Sequence, residues 1–438
     1  MRAVVIGAGI GGLTASIALA RAGYEVVIVE RDDTPMPSDV EGAFAWDRRG
    51  APQVRHTHGF PALIRATLRD HFPDVLAALL DAGVREVSVL PASVTPDVAD
   101  YERHKEDLQV LATRRTTLEF VLRRCALAER GVEFVTGAAV EGLEVRDGAV
   151  RGIRLHSDVI EGDVIEGDVV VAASGRRCAA PAWFAEHGLR VEEEEHPTNT
   201  IYLSRFYRSD EAPMGYVGGR RAGLGFVVAG ADNGAYSATL AVPADDAELR
   251  THLLDEDHFE AVLPLFKEMQ PVVERQGEPL TGVQTMGGLI NRIRRYPRLD
   301  GFFAIGDSHT CTNPLYGRGS SLAVLQAVLV RDALAGGEDY EAASQRRVEP
   351  WYEMSLLTDK PEAANLSGFD LQSMRRATAS DDPEVAVQMT RMMSLLTTPT
   401  ELFSDPALVA RLQAAGEPKT KPPPAKVLTR DDFLRAGA

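Results

Sequence analysis

The sequence predicts an α/β fold in which a Rossmann-like parallel sheet is interrupted by an antiparallel sheet and followed by a helical C-terminal region. Three observations lead to this prediction. A strand–helix–strand pattern opens the chain, with the apolar run Ala3–Ile6, a helical segment at 11–22 and the strand Glu25–Glu30. Between residues 181 and 285 the pattern changes to short, spaced strands. A buried strand, a glycine-rich loop and a long helix then return near residue 302, as in a parallel sheet that resumes.

Length and composition exclude several classes of protein. The 438 residues leave room for about three domains. A net charge of −17 disfavours nucleic-acid binding, because phosphate neutralisation needs clustered Lys and Arg. The chain has no apolar run of about 18 residues and no signal-like N-terminus, so we expect a cytoplasmic protein without a membrane span. Cys125, Cys178 and Cys311 have no metal-binding spacing, and we expect buried free thiols.

Residues 1–180 are expected to form the first part of the parallel-sheet domain, with a helical insertion at about 61–104. Helices are predicted where apolar residues recur every three to five positions, and strands where they alternate or run together. The predictions here are helices over 61–82, broken at Pro73, and 115–129, a strand meander over 132–135, 140–145 and 150–155, and a buried strand over 168–173. The duplicated DVIEG of 158–162 and 163–167 is interpreted as an extension of the hairpin.

Residues 181–285 are expected to form a second, antiparallel domain, 286–345 to complete the first domain, and 346–438 to form a helical region and tail. The predicted elements are strands over 200–207, 224–229, 236–242 and 302–305, helices over 246–263 and 320–335, and a helical region over 346–416. The acidic run Glu192–Glu195 is interpreted as a solvated turn. The proline-rich stretch 422–424 is interpreted as a stiff linker before a short terminal helix.

The loop after the first strand carries the pattern Gly7-x-Gly9-x-x-Gly12. The first glycine allows a tight turn, the second lets a pyrophosphate approach the backbone, and the third lets the helix pack closely on the strand. The helix N-terminus then faces the negative charge. Glu30 ends the second strand, where an acid binds ribose hydroxyls and disfavours a 2′-phosphate. The sequence therefore predicts a dinucleotide site for FAD or NAD.

A distant segment favours FAD over NAD. Asp307 follows the strand at 302–305, and the loop 314–321 (PLYGRGSS) opens the next helix. Asp307 can bind a polyol hydroxyl, while the amides of Gly319, Ser320 and Ser321 point toward an electron-rich acceptor. A flavin supplies both partners, namely a ribitol chain and an N1–C2=O edge that becomes anionic on reduction. We therefore expect one FAD, bound non-covalently.

On these motifs the chain resembles the FAD-dependent monooxygenases typified by para-hydroxybenzoate hydroxylase, over about residues 1–345. The resemblance implies a FAD-binding domain of the GR2 type. The segment 115–118 (RTTL) matches the family's R-x-x-L pattern, in which the arginine, here Arg115, contacts the pyrophosphate. The resemblance also implies backbone contacts from Val140 to adenine, and it places Arg31 beside the ribose acid.

Further features concern the reaction. The segment 55–58 (RHTH) resembles a stretch of the polyketide hydroxylase and epoxidase-like branch of the family. No third ligand accompanies His56 and His58, so packing or hydrogen bonding near the flavin is favoured over a metal site. Pro314 is the third candidate for a residue near the flavin, and no obligatory protein nucleophile is found. Where the family has Asp-Gly, this chain has Ser174 before a glycine, so NAD(P)H and a separate flavin reductase both stay open as electron sources.

The resemblance implies oxygenation of a small organic molecule of the secondary-metabolite type. In the family, reduced FAD adds O₂ to form a C4a-hydroperoxyflavin, whose distal oxygen passes to an aromatic carbon or an alkene. The outcome is hydroxylation or epoxidation. The alternatives are a flavin-dependent dehydrogenase or reductase on the same fold and a FAD-binding module without turnover. A flavin halogenase is disfavoured because the WxWxIP stretch is absent.

Overall fold

The computed structural model describes residues 1–48, 50–156, 164–213, 215–274, 277–359, 382–414 and 428–437. The strands are β1 Arg2–Ile6, β2 Glu25–Glu30, β3 Arg85–Ser88, β4 Gln109–Ala112, β5 Val132–Thr136, β6 Ala139–Arg146, β7 Ala149–His156, β8 Val164–Glu166, β9 Val169–Ala172, β10 Glu192–Pro197, β11 Thr200–Arg208, β12 Tyr216–Arg221, β13 Leu224–Gly230, β14 Ala235–Pro243, β15 Glu278–Pro279, β16 Gln284–Met286, β17 Ile290–Arg295, β18 Phe302–Ala304 and β19 Thr310–Cys311. The helices are α1 Ile10–Arg21, α2 Val40–Phe44, α3 Ala62–His71, α4 Pro73–Asp81, α5 Tyr101–Asp107, α6 Arg115–Ala128, α7 Ala180–Glu186, α8 Ala247–Leu254, α9 Glu256–Val262, α10 Gln270–Val273, α11 Arg318–Leu334, α12 Tyr340–Arg347, α13 Glu349–Asp359, α14 Pro383–Met393, α15 Pro399–Phe403, α16 Pro406–Ala414 and α17 Arg430–Arg435.

The central parallel sheet has the strand order β18-β9-β1-β2-β5. Its strands are short apolar runs, and Val4 and Val170 are fully buried. One face packs against α1, α6 and α11, and the other against the meander β6–β8 and α7. Coverage of both faces explains the continuous apolar sequence of these strands, since neither face meets water. The predicted Rossmann-like α/β architecture is confirmed.

Two predictions in the first 180 residues are corrected by the strand pairing. The run at 132–135 is not part of the meander, because β5 pairs in parallel with β2 after the α6 crossover. The meander consists of β6, β7 and β8, and β8 lies within the second DVIEG copy. The first copy lies outside the described residues. The insertion at 61–104 contains α3 and α4, broken at Pro73 as predicted, but also β3, which pairs with β4.

The antiparallel sheet has the order β12-β13-β14-β11-β15, with β16 also pairing with β11. One face packs on α8, α9 and the terminal helix α17, around Leu240, Phe259 and Phe433. The predicted single helix over 246–263 is two helices. Asp255 ends α8 and caps α9, because its side chain accepts from the amides of Asp257 and His258.

The acidic run at 192–195 is a strand, so its interpretation as a solvated turn is wrong. It forms β10, which pairs with β17, whose facing residues include arginines. Glu193 contacts Arg294 at 2.5 Å, and Glu195 contacts Arg292 at 3.4 Å. The run is stable as a strand because its charges are paired across about 100 residues of sequence, which no local pattern reveals.

The elements that follow β19 in the described residues are helices, as predicted, and α11 begins two residues earlier than expected, at Arg318. Helices α12 to α16 pack around the hydrophobic core that lies on the α1, α6 and α11 face of the parallel sheet. The stretch 360–381 and the proline-rich linker at 422–424 lie outside the described residues. Within the described part, no helix combines the length and apolar character needed to cross a membrane. The three cysteines are free thiols, with Cys178 and Cys311 buried and Cys125 half-buried.

Candidate functional site

The loop between β1 and α1 uses its three glycines differently. Gly7 has φ +101, and a Cβ there would lie 2.7 Å from the Ala173 carbonyl oxygen. A Cβ on Gly12 would lie 1.9 Å from the Gly7 carbonyl oxygen, so the close approach of helix and strand requires glycine. A Cβ on Gly9 would meet no atom within 4 Å. Gly9 therefore borders open space at the N-terminus of α1, where a phosphate can approach the backbone.

Glu30 lies beside this loop at the end of β2 and is 7% exposed. One carboxylate oxygen accepts from the Ala8 amide at 2.9 Å, and the other accepts from the Asp32 amide at 3.0 Å. These two bonds fix the carboxylate and leave lone pairs for a diol. Arg31, the next residue, is exposed and lies near Gly50.

Three residues beside Glu30 were not identified from the sequence: Trp46, Arg48 and Arg123. Arg48 is buried, and its Nη2 lies 3.8 Å from Glu30 Oε2. Its Nε lies 3.5 Å from Asp32 Oδ2 and its Nη1 lies 3.1 Å from Glu119 Oε2, which are ion-pair contacts without hydrogen-bond geometry. Arg48 and Arg123 both stack on Trp46, at 4.7 and 5.4 Å from the ring. The only sequence signal was the arginine pair at 48–49 in an irregular segment. The burial of Arg48 and Arg123 depends on tertiary contacts, which this signal does not reveal.

Arg115 is the first residue of α6, where the R-x-x-L resemblance had placed a phosphate ligand. Its Nε donates to Glu119 Oε1 at 2.8 Å, and its Nη1 lies 3.2 Å from His58 Nε2. The guanidinium is thus held from two sides. Its charge also acts on Asp307, which lies at the end of a strand more than 180 residues away in sequence.

Asp307 follows β18 in a short turn that the interior fixes in place. The Gly306 amide donates to Gln326 Oε1 at 2.8 Å, and Gln326 Nε2 lies 3.1 Å from the Tyr340 hydroxyl. Burial raises the pKa of the Asp307 carboxyl, while the positive charges of Arg115, Arg176 and Arg292 act in the opposite direction. A hydroxyl that donates to this carboxylate would replace the water that burial removes.

The N-terminus of α11 opens next to Asp307. The Asp307 Oδ1 atom lies 3.6 Å from the position that a Cβ on Gly319 would occupy. Gly317 at the N-cap has φ 63 and supplies no capping side chain. The Ser321 hydroxyl is buried without a hydrogen-bond partner among the described residues. Unpaired donors therefore gather at this helix start, where an electron-rich acceptor is stabilised.

The predicted groups lie in a row along the carboxyl edge of the parallel sheet. In strand order, Asp307 follows β18, Ser174 follows β9, Gly9 follows β1, Glu30 ends β2, and Val140 lies just beyond β5. Four strand spacings separate the two ends of this row, roughly 19 Å. Val140 is half-buried in β6, and its side chain packs against the hydrophobic core between the parallel sheet and the meander.

The His-Thr-His segment connects this edge with the antiparallel sheet. His56 Nδ1 lies 3.1 Å from the Ser204 hydroxyl of β11. The Thr57 hydroxyl lies 2.7 Å from that of Ser237 and 2.6 Å from that of Thr239, both in β14. Burial lowers the pKa of His56 to about 4, and burial with the nearby charge of Arg115 lowers that of His58 to about 3. Both imidazoles are therefore neutral near pH 7.

A narrow recess, which has no room for a water molecule, lies between this segment and the sheet. Its lining includes both histidines, Arg115, Phe206 and Ser237. His58 is not arranged as a metal ligand, because both of its ring nitrogens already have partners. In the described residues, no cluster of three or more His, Cys, Asp or Glu side chains is arranged to hold a metal ion.

Pro314 begins the turn before α11, and a buried polar network holds this turn. Asn313 Oδ1 accepts from the Tyr202 hydroxyl of β11 at 2.8 Å and from the Leu315 amide at 3.1 Å. Asn313 Nδ2 donates to Asp359 of α13 at 2.9 Å. The turn is thus tied to both the antiparallel sheet and the C-terminal helices.

Comparison with known proteins identifies the fold. Residues 5–79 match the model of the NAD(P)-binding Rossmann-like domain. Two relatives in sequence are Protein Rv3254 of Mycobacterium tuberculosis and kynurenine 3-monooxygenase of Salinispora arenicola. The first is 27% identical over 370 residues, which are 76% of this chain and 72% of the relative. The second is 26% identical over 403 residues, 85% of this chain and 80% of the relative.

Three solved structures resemble most of the chain at low sequence identity. The flavin-dependent brominase Bmp2 has a TM-score of 0.64 at 14% identity and covers 94% of this chain and 99% of its own. PqsL of Pseudomonas aeruginosa, a probable FAD-dependent monooxygenase, has a TM-score of 0.58 at 16% identity, with 89% and 99% covered. Aklavinone-11 hydroxylase, in complex with FAD and aklavinone, has a TM-score of 0.58 at 18% identity, with 81% and 68% covered. The chain therefore has the fold of the FAD-dependent monooxygenases, with a Rossmann-like domain at its N-terminal end.

Proposed function

We propose that this protein binds one FAD non-covalently and acts as a monooxygenase on a small organic substrate, by hydroxylation or epoxidation. The order of groups along the carboxyl edge of the parallel sheet carries this proposal. Asp307, Gly9, Glu30 and the backbone near Val140 follow one another along that edge. The ribitol, pyrophosphate, ribose and adenine of FAD follow one another in the same order.

The donors and acceptors at this edge fit the parts of FAD. The open space at Gly9, the N-terminus of α1 and Arg115 would receive the pyrophosphate, and Glu30 would accept from the ribose. Asp307 would accept from the ribitol chain. The first amides of α11, at Gly319, Ser320 and Ser321, would face the electron-rich edge of the flavin. The buried Ser321 hydroxyl, which has no partner among the described residues, supports a ligand at this place.

When bound, FAD supplies the chemistry that divides O₂, with one oxygen atom entering the substrate and the other leaving as water at the cost of two electrons. The protein's own residues bind and orient the substrate and exclude water. Phe206 and Ala229 of the antiparallel sheet lie in the same recess as His58 and Arg115, and His56 and Ser237 offer neutral hydrogen-bonding groups there.

We further propose the domain roles. Residues 1–180 and 286–345 would form the FAD-binding domain, and 181–285 the substrate domain. The residues at 346–438 would not form an independent unit, because α13 holds the turn at Asn313 and Phe433 of α17 packs in the core of the antiparallel sheet. The similarity to aklavinone-11 hydroxylase and kynurenine 3-monooxygenase supports oxygenation as the reaction.

The proposal is tested in two stages. Purified protein should be yellow and release FAD on acid precipitation, since no residue stands in a recognisable flavin-attachment motif. Candidate metabolites are then incubated with reduced protein under ¹⁸O₂, and mass spectrometry should find one labelled oxygen atom in the product. A product without label would indicate dehydrogenation, and bromide incorporation would indicate halogenation. Bound FAD without any product in a broad metabolite screen would favour a non-catalytic FAD-binding module.

Ser174 bears on which electron donor reduces the flavin. Ser174 and Gly175 lie where the family's Asp-Gly would stand, next to Gly7, and the Gly175 amide donates to Ser308 at 3.0 Å. Serine keeps a hydroxyl for a phosphate but lacks the charge that would organise a nicotinamide partner. We expect NADPH and NADH to reduce the flavin slowly without substrate, so that substrate or a separate flavin reductase is needed.

Anaerobic stopped-flow mixing, followed by the loss of flavin absorbance, measures this rate. Ser174→Asp should raise the rate of reduction, and Ser174→Ala should not. Rapid bleaching of the unmodified protein by either nucleotide alone would show that the serine replaces the aspartate without cost.

A further inference from the structure

We propose that His58 is a positioning residue that orients the Arg115 guanidinium toward the phosphates of the cofactor. The inference rests on the proposed FAD site, and it assigns a role to the second histidine of the RHTH segment.

Two contacts hold the Arg115 guanidinium. Its Nε donates to Glu119, and one Nη1 hydrogen points to His58 Nε2. No hydrogen bond from Nη2 to any described residue accompanies these two. Three of the five guanidinium hydrogens therefore remain available, and those on Nη1 and Nη2 form the fork that binds phosphate oxygens in pairs. Holding the other two hydrogens fixes the direction of this fork.

The surroundings of His58 select one tautomer. Nε2 faces a guanidinium donor, so it must carry the lone pair, and the ring proton must then lie on Nδ1. Nδ1 lies 2.8 Å from the His56 carbonyl oxygen, an acceptor that matches this proton. The ring also stacks on Phe60, with centroids 6.1 Å apart. Every polar atom of the imidazole is thus used, and the ring is fixed in orientation.

The segment that carries His58 is anchored on the antiparallel sheet. His56 contacts Ser204 of β11, and Thr57 contacts the hydroxyls of Ser237 and Thr239 of β14. The antiparallel sheet therefore fixes the position of His58, and through His58 that of Arg115. Arg115 would otherwise depend only on α6 and Glu119.

A neutral acceptor suits this position better than a carboxylate. Glu119 already lies between Arg115 and Arg48, with its Oε2 3.1 Å from Arg48 Nη1. A second carboxylate next to Arg115 would neutralise the cation and repel phosphate oxygens. Imidazole accepts the hydrogen bond and leaves the positive charge in place.

Two substitutions of His58 test the hydrogen bonds of its two ring nitrogens separately. Asn at position 58 reproduces the Nδ1 donor to the His56 carbonyl but lacks an acceptor for Arg115. Gln reaches the Nε2 position and restores that acceptor. We expect His58→Asn to raise the FAD dissociation constant about tenfold, as for loss of a hydrogen bond to a charged group, and His58→Gln to restore most of the affinity. Titration of apoprotein with FAD, followed by quenching of flavin fluorescence, gives both constants.

A matched control uses the surface histidine His71, whose Nδ1 lies 3.3 Å from Arg331 Nη2. His71→Asn removes the same kind of contact away from the site and should leave FAD affinity unchanged. Melting temperatures of all variants show whether any change in affinity arises from loss of folding.

A double-mutant cycle decides whether His58 acts through Arg115. In an Arg115→Ala background, His58→Asn should cause no further loss of FAD affinity. A full additional tenfold loss in that background, or unchanged affinity in His58→Asn alone, would overturn the positioning role. If the unmodified protein binds no FAD, the proposed function fails instead, and the two failures are distinguished by this first titration.

Discussion

Gly9→Val is expected to leave the protein folded but unable to retain FAD. A Cβ at Gly9 meets no protein atom within 4 Å, and the residue has φ −85 at the N-cap of α1, so valine strains neither the packing nor the backbone. The isopropyl group would occupy the space through which a pyrophosphate reaches the helix N-terminus. We expect FAD affinity to fall by more than 100-fold, because the phosphates lose both the backbone amides and the helix end.

Flavin content of the purified protein and titration with added FAD measure this effect. Gly215→Val is the matched control, since a Cβ there is equally unobstructed but lies outside the glycine loop. Gly12→Ala, unlike Gly9→Val, should destabilise the fold itself. Its Cβ would lie 1.9 Å from the Gly7 carbonyl oxygen. Normal flavin content in folded Gly9→Val would show that the cofactor does not approach this loop.

The parts of the site that the sequence revealed are those where local pattern and function coincide. Gly7, Gly9 and Gly12 occur at a fixed spacing between a strand and a helix, and Asp307 follows directly after a buried strand. The structure brings these segments to one edge because the carboxyl ends of parallel strands share an edge, which is a consequence of topology. Their roles in binding FAD remain predictions until the titrations are done.

The features that the sequence did not reveal all depend on distant partners. The run at 132–135 has the same alternation as a meander strand, and only its pairing with β2 identifies it as part of the parallel sheet. The strand β10 depends on the arginines of β17. Arg48 and Arg123 are charged residues in ordinary contexts, and their burial around Trp46 cannot be inferred from spacing. Long-range pairing of charges leaves no periodic signal in a single sequence.

The second large effect concerns Asp232, another residue that the sequence did not single out. It lies in the turn between β13 and β14 and is completely buried. Its Oδ2 accepts from Arg114 Nη2 at 2.6 Å and from the Thr117 hydroxyl at 2.8 Å, and its Oδ1 accepts from the Arg114 amide at 2.5 Å. The antiparallel sheet is thereby attached to the start of α6, one residue before Arg115.

Asp232→Asn is expected to lower the free energy of unfolding by about 3–5 kcal/mol. The amide cannot neutralise the guanidinium of Arg114, which is 2% exposed, and its NH₂ group would face other donors. Glu41 also contacts Arg114 at 2.9 Å, but its side chain is half exposed and compensates only in part. Urea denaturation followed by circular dichroism measures the change. Glu166→Gln, which breaks an exposed pair with Arg146, should change stability by no more than about 1 kcal/mol.

The pH dependence of this difference tests whether the charge of Asp232 is responsible. Burial acts to raise the pKa of Asp232, but the hydrogen bonds and charge of Arg114 outweigh it and hold the pKa below the usual range. A carboxyl with a lowered pKa in the folded state stabilises the protein above its unfolded pKa, and this contribution is lost as the pH falls toward the folded value. The stability difference between the unmodified protein and Asp232→Asn should therefore be constant near neutral pH and shrink below about pH 4. A difference as small as that of Glu166→Gln at pH 7 would mean that Glu41 alone compensates Arg114, and that the buried pair is not what joins the antiparallel sheet to α6.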